Sequence, residues 1–185
     1  MSAPEVTLAS CPVDVVELSA LRAREPALRA AAADRGIALP ACGAWAAGRA
    51  CLALSVRPAR WLLLSAPLAP GAAAAQWGAA AGACAAAVDL SSGLLALRLA
   101  GPAAHEALAR GCRLDLAQFA PGRAAATLIA QVSTLLAALP SGMLLLTPTS
   151  TAQHLRDWLA EAGRPFGFGL EAELTLTALT GDRNL

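Results

Sequence analysis

The 185-residue chain contains no lysine and no tyrosine, and aromatic residues make up only 4% of it. All 14 basic residues are therefore arginines. These absences exclude a Schiff-base lysine, the lysine of a phosphate-binding loop and a tyrosine acting as a general acid. Because hydrophobic residues reach 57% and many of them are alanine, a core must be built from Leu, Val and Ala with a few Trp anchors.

The sequence also lacks a strong charge and any CxxC pair. A net charge of +1 indicates no polyelectrolyte partner such as a nucleic acid. The odd number and wide spacing of the cysteines argue against a disulfide scaffold or a zinc site, and we expect buried, reduced thiols in a cytoplasmic protein. These cysteines are Cys11, Cys42, Cys51, Cys84 and Cys112. No arginine-rich start precedes an apolar run, so we expect no signal peptide.

Two apolar stretches need to be tested against a membrane-spanning helix. Residues 61–88 carry no charge, but Pro67, Pro70 and three glycines interrupt them and most of the apolar residues are alanines. The run over 124–139 is too short and contains polar residues. A spanning helix needs about 20 strongly apolar residues. We therefore predict that both stretches are buried parts of a protein without a membrane partner.

The periodicity predicts one α+β domain over residues 1–185, with a largely antiparallel sheet and helices packed on it. Residues 1–36 are predicted to be an N-terminal extension with a short helix, in which Met1 to Ser10 is a loose start and 13–18 a short edge strand. The predicted strands are 50–56, 60–65, 88–90, 94–99, 122–130, 131–139, 143–147 and 170–178. The predicted helices are 26–35, 70–85, one that follows Gly101-Pro102, and 150–162.

Several local signals refine these elements. Ser150 and Gln153 have the spacing of a capping box, and Gly111 is placed to give a left-handed helix exit. Gly78 and Gly82 lie four residues apart, so they share a helix face that can approach a sheet closely. Gly167-Phe168-Gly169 lacks the third glycine of a nucleotide-binding loop and is predicted to be a bend or bulge.

One stretch carries a resemblance to a known family. VDLSSGLLALRLAGPAAHEALARGCRLDL (88–116) is followed by Pro121-Gly122-Arg123-Ala124 and Thr127-Leu128, and is preceded by Arg57-Pro58-Ala59-Arg60-Trp61-Leu62-Leu63-Leu64. This combination resembles the gamma subunit of heterotetrameric sarcosine oxidase over roughly 39–159. More distantly, it is similar to the first, folate-binding domain of the glycine cleavage T-protein. The resemblance implies the fold of that N-terminal domain.

The resemblance also implies a function. It indicates a non-catalytic accessory subunit of a cytoplasmic, flavin-dependent sarcosine oxidase, which demethylates sarcosine to glycine in a reaction coupled to tetrahydrofolate. The implied partners are alpha, beta and delta subunits, which would carry FAD, FMN, NAD, tetrahydrofolate and zinc. No catalytic, cofactor-binding or metal-binding residue is assigned to this chain. The alternatives are a free-standing folate-binding or aminomethyltransferase-like protein, a subunit of a related N-methyl amine oxidoreductase, and a small self-associating protein.

Asp115 is the carboxylate that bears on the choice between an accessory subunit and a folate-binding protein. An aspartate at the matching place in the T-protein lies at the folate and aminomethyl site, beside an asparagine and ahead of a tyrosine. Here the neighbour is Leu114 and the chain has no tyrosine. We therefore expect Asp115 to cap a turn or to pair with Arg113 or Arg123, rather than to serve a folate site.

Other polar and aromatic candidates have simple interpretations. His105 and His154 lie on separate predicted helices without ligand spacing, so we expect surface or helix-end histidines. Arg57 and Arg60 flank a strand turn, where they form either a solvated hairpin end or a surface for an acidic partner. The four tryptophans are predicted to be core anchors, with Trp45 the best candidate for an interface residue.

Overall fold

The computed structural model describes residues 3–180, in which two β-sheets are stacked face to face and each sheet carries helices on its outer face. The six-stranded sheet has the order β11-β1-β7-β10-β9-β8, and the five-stranded sheet has the order β3-β4-β5-β2-β6. The strands are β1 Val6–Cys11, β2 Asp14–Ala20, β3 Ala44–Ala47, β4 Cys51–Arg57, β5 Arg60–Ser65, β6 Ala85–Asp89, β7 Leu94–Ala100, β8 Ala124–Ile129, β9 Val132–Leu139, β10 Gly142–Pro148 and β11 Phe168–Leu170. The helices are α1 Glu25–Asp34, α2 Ala72–Ala81, α3 Ala104–Ala109, α4 Ala152–Gly163 and α5 Leu176–Thr180.

Three buried apolar clusters separate the four layers. Leu97, Leu99 and Leu145 of the six-stranded sheet pack with residues of α3 and α4. The opposite face of the same strands meets the five-stranded sheet, whose outer face in turn packs on α1 and α2. Because most strands are covered on both faces, they read as continuous apolar runs, such as Trp-Leu-Leu-Leu in β5.

The two sheets are joined at two corners. The chain passes from β1 to β2 through Pro12-Val13, and from β6 back to β7 through 90–93, where the Leu90 N–H donates to the Val15 carbonyl at 2.8 Å. At the other side the Ala124 N–H donates to the Gly43 carbonyl at 2.9 Å, which links the edges of β8 and β3. The sheets are therefore joined along both of these sides.

The predicted class is confirmed: the chain is a single α+β domain with helices packed on mostly antiparallel sheets. The exception is β11, which pairs parallel to β1. No helix in residues 3–180 is long and apolar enough to cross a membrane.

The N-terminal segment differs from its prediction. The loose start predicted for Met1 to Ser10 is wrong from Val6 onward, because Val6–Cys11 form β1, which lies between β7 and β11, while Met1 and Ser2 lie outside the described residues. The strand predicted at 13–18 exists as β2, but it lies between β5 and β6 rather than at an edge. The described part of the predicted extension 1–36 is thus built into both sheets.

The C-terminal segment also differs. The strand predicted over Leu170–Ala178 is wrong: β11 ends at Leu170, an irregular stretch follows, and α5 begins at Leu176. Leu174, Leu176 and Leu179 pack into the layer between the sheets. Of the bend predicted at Gly167-Phe168-Gly169, Gly167 has a φ of 73° just before β11, whereas Phe168 and Gly169 belong to that strand.

Three predictions about glycines and helix ends are corrected by the structure. Gly111 does not have the predicted positive φ; a Cβ there would overlap the indole ring of Trp158, so glycine is needed for helix packing. Thr151, not Ser150, precedes α4 and no side chain caps it, while Gln153 donates to Asp157 at 2.7 Å. Helix α2 ends at Ala81 rather than Ala85, because Gly82 has a φ of 50°.

Candidate functional site

Asp115 is exposed and holds a turn. Its Oδ1 accepts from the Ala117 N–H at 3.1 Å and its Oδ2 accepts from the Gln118 side-chain amide at 2.7 Å. This is the capping arrangement of a short 3₁₀ segment, Leu116–Gln118. Among the described ion pairs neither Arg113 nor Arg123 contacts Asp115, so the expected cap is confirmed and the expected arginine pairing is wrong.

The two histidines lie on the surface, as expected. His105 is exposed on α3, and His154 is exposed on α4 with its Nε2 at 3.3 Å from the Ala130 carbonyl. Within residues 3–180 no group of three or more His, Cys, Asp or Glu side chains is placed to hold a metal ion.

The tryptophans differ in their burial. Trp61 and Trp77 are buried core anchors beside α1 and α2, and Arg29 and Arg35 stack over their rings at 5.1 and 4.7 Å. Trp45 is only partly buried, and its indole N–H donates to the Ala138 carbonyl at 2.7 Å, which ties β3 to β9. Trp158 is partly buried against Gly111.

The five thiols differ in how deeply they are buried. None of these cysteines forms a disulfide. Burial raises the pKa of the Cys11 thiol to about 11, with a smaller contribution from the charge of Glu173. Burial also raises the pKa of the Cys51 thiol to about 11, against a smaller lowering effect of Arg35. Cys42, by contrast, is exposed, so the burial expected for the thiols is wrong at this position, and Cys84 and Cys112 are only partly buried.

A cleft opens where the two sheets separate at the β4–β5 turn. It has a volume of about 140 Å³. Its interior is aliphatic, and its mouth carries Arg57, Arg60 and Glu17. The residues that line it, the inter-sheet cleft, are Glu17, Leu54, Val56, Arg57, Arg60, Trp61, Leu62, Leu90, Leu94 and Leu135.

Strand register explains why the cleft is open. Glu17 of β2 pairs with Leu62 of β5 and with Val88 of β6, so these three side chains share the face that is turned toward the six-stranded sheet. Leu62 is 7% exposed, but Val88 is 47% exposed. The six-stranded sheet therefore covers β4 and β5 but leaves the β2–β6 corner of this face uncovered.

Charge at the mouth is weakly paired. Arg60 Nη1 lies 3.4 Å from Glu17 Oε1, and the Arg60 side chain is half exposed. Arg57 is exposed and contributes to none of the ion pairs found in residues 3–180. Such a surface pair is worth roughly 0–1 kcal/mol, so both guanidinium groups can be redirected at little cost.

The layered fold has counterparts among solved structures. A chain of the heterotetrameric sarcosine oxidase from Corynebacterium sp. U-96, solved in complex with pyrrole 2-carboxylate, superposes with a TM-score of 0.77 at 27% identity, over 90% of this chain and 88% of that chain. The chain is similar to a sarcosine oxidase subunit. The resemblance noted in the sequence is therefore confirmed.

A second counterpart is the glycine cleavage system aminomethyltransferase T from Bartonella henselae. It has a TM-score of 0.66 at 17% identity and covers 92% of this chain. This chain spans about half of that protein, 48% of its length, and the likeness shows a shared fold. No family model matches the sequence, and a sequence comparison with curated proteins finds no match.

Sequence reasoning singled out Arg57 and Arg60 but missed the cleft behind them. Its walls come from residues far apart in the chain, such as Glu17, Leu90 and Leu135. One available signal was Glu17, a carboxylate on the same face of β2 as buried Val15. A charge on the inner face of a strand indicates that the face is uncovered at that point.

Proposed function

We propose that the chain is the gamma subunit of a heterotetrameric, flavin-dependent sarcosine oxidase and that it acts as a non-catalytic, structural subunit. The observation that carries this proposal is the likeness to a chain of that enzyme, which extends over nearly the whole length of both proteins at 27% identity. The motifs around Arg57-Pro58 and Gly111-Cys112 support the same assignment.

The partners in this proposal are the alpha, beta and delta subunits of a cytoplasmic assembly. FAD, FMN, NAD, tetrahydrofolate and zinc would be bound by these partners, and the assembly would convert sarcosine to glycine with transfer of the methyl carbon to tetrahydrofolate. Another N-methyl amine as the substrate would leave the role of this chain unchanged.

A free-standing folate-binding or aminomethyltransferase-like protein is the competing proposal, favoured by the fold shared with aminomethyltransferase T. Its weak point is Asp115, whose two carboxylate oxygens already accept hydrogen bonds from Ala117 and Gln118. A folate site at this position would have to replace those bonds.

The test is co-purification from the native organism with this chain tagged. We expect a large flavoprotein subunit in the eluate, with the absorbance spectrum of bound flavin and with sarcosine-dependent reduction of that flavin. A colourless chain that is recovered alone would contradict the proposal. Saturable binding of tetrahydrofolate to that isolated chain, lost in Asp115→Ala but kept in Asp34→Ala, would favour the competing proposal.

A further inference from the structure

We propose that the inter-sheet cleft is the docking surface of this chain for the flavin-bearing assembly, and that its occupant is a partner segment with an aliphatic side chain next to a carboxylate. This inference rests on the proposed function. It goes further by naming the face that docks and the chemistry that the face recognises.

The interior of the cleft fits one large apolar side chain. Its volume is about 140 Å³, and a protein cavity of about 150 Å³ lined by aliphatic residues can hold a benzene molecule. Leu54, Val56, Leu62, Leu90, Leu94 and Leu135 supply the aliphatic walls. Trp61 is the one neutral hydrogen-bonding side chain among the lining residues, and its indole N–H already donates to the Pro40 carbonyl at 2.9 Å. An aliphatic group therefore fits the interior better than a polar one.

The mouth of the cleft favours an acidic neighbour. Arg57 and Arg60 both line it, and both are exposed. Glu17 is the carboxylate of the cleft itself; its Oε1 accepts from the Ser19 hydroxyl at 3.0 Å and lies 3.4 Å from Arg60 Nη1. A partner carboxylate can therefore form a bidentate, charge-assisted pair with a guanidinium group.

Apolar surface extends from the cleft along the same sheet face. Val88 is 47% exposed on this face, and the loop residue Leu21 is 49% exposed near the same end of β2. β6 is also the edge strand of the five-stranded sheet. The surface thus combines an apolar pocket, a basic rim and a sheet edge, as in interfaces where a central anchor is surrounded by polar contacts.

The experiment uses the complete chain, co-expressed with the tagged large flavoprotein subunit and the other subunits of the assembly from the same organism. Three variants are compared with the wild type: Arg57→Glu/Arg60→Glu, Val56→Trp and the control Arg113→Glu/Arg123→Glu. The control reverses two exposed arginines that lie outside the cleft and form none of the described ion pairs. Circular dichroism of each free variant shows whether it folds.

We expect the double reversal at the cleft to lower the amount of chain recovered with the flavoprotein at least tenfold, and Val56→Trp to lower it by blocking the interior. The control should bind like the wild type, and raising the salt concentration should weaken wild-type binding. Binding of the wild type and of both cleft variants to the same extent would overturn the docking surface and leave the proposed function standing.

Two other outcomes also decide the inference. If the wild-type chain fails to co-purify, the proposed function fails and the inference falls with it. If the free chain forms a dimer in gel filtration that is lost in Arg57→Glu/Arg60→Glu, while assembly with the flavoprotein is unchanged, the occupant is a second copy of this chain and the inference is overturned.

Discussion

The layer under α3 and α4 and the layer between the two sheets are built from the same residue types but are closed differently. Under the helices, Leu97, Leu145 and Leu159 are completely buried and Trp158 seals the layer against Gly111. Between the sheets, Leu62 and Leu135 line an open cleft. The difference lies in what covers each leucine, and not in composition.

The inter-sheet cleft opens at one end of the inter-sheet layer. At the opposite end α5 packs Leu176 and Leu179 into the same apolar cluster, and the Ser141 hydroxyl donates to the Leu179 carbonyl. The inter-sheet cleft thus lies at the end of the layer that α5 does not cover.

The largest expected effect compares one leucine from each layer. Leu145→Ala should lower the free energy of unfolding by about 3–4 kcal/mol, because the enclosed layer cannot fill the cavity that the change leaves. Leu62→Ala should cost less, about 1–2 kcal/mol, since water can enter from the cleft. Urea unfolding followed by Trp fluorescence measures both; equal losses would remove the contrast between the layers.

The second prediction tests how Trp158 and Gly111 seal the layer under α3 and α4. Gly111→Val should destabilise the chain by about 2–3 kcal/mol, because its side chain overlaps the Trp158 ring. Combined with Trp158→Ala, the two changes should cost less than the sum of their separate losses, as expected for residues in contact. Gly93→Ala is the control, since a Cβ there meets only the Leu90 carbonyl, at 3.5 Å. A loss in the control as large as that at Gly111 would contradict packing as the cause.

A smaller effect is expected at Asp115, which is exposed beside the closed layer. Asp115→Ala should cost about 0.5–1 kcal/mol through loss of the cap, and Asp115→Asn should cost less because its amide oxygen still accepts from the Ala117 N–H. Flavin content of the co-purified assembly should not change. A normal unfolding curve combined with lost activity of the assembly would instead make Asp115 a functional residue.

The smallest effect concerns the thiols. Burial raises the pKa of the Cys11 and Cys51 thiols from 9.0 to about 11, so the folded chain favours their protonated form. Their contribution to stability is therefore present in full below pH 9 and is lost as the pH rises toward 11. At pH 8 the exposed Cys42 should react with a thiol reagent well before either of them. Equal reaction rates would show that these layers open readily.

Elements with strong local signals were predictable. The β4–β5 hairpin and β9–β10 are apolar runs separated by turn residues, and α4 has a regular buried stripe of Leu155, Leu159 and Ala162. β1 was missed because its partners β7 and β11 lie far along the chain, so no local turn marks it. Leu170–Ala178 alternates like a strand, yet Leu170 alone of this stretch pairs with β1, as the last residue of β11.

The candidate site was harder to predict from the sequence than the fold. In the sequence, a glycine at a helix end that permits a left-handed turn cannot be told from one that makes room for an aromatic ring. Gly111 is of the second kind. The turn role of Asp115 was predictable because its hydrogen-bonding partners are two and three residues away. The cleft was not, since its two walls belong to different sheets and their separation depends on how the sheets cross.

The interleaving of the strands has a consequence for the order of synthesis on the ribosome. Every strand of the five-stranded sheet is encoded between Asp14 and Asp89, so that sheet can pair completely as soon as this stretch has emerged. β1 is made first, but Thr7 pairs with Ala100 and Leu8 with Leu170, which appear much later. At about 5–20 residues per second, its first partner arrives roughly 5–20 s after β1 itself. During that interval β1 presents an unpaired apolar edge, which makes nascent chains of this protein most vulnerable to aggregation before β7 is translated.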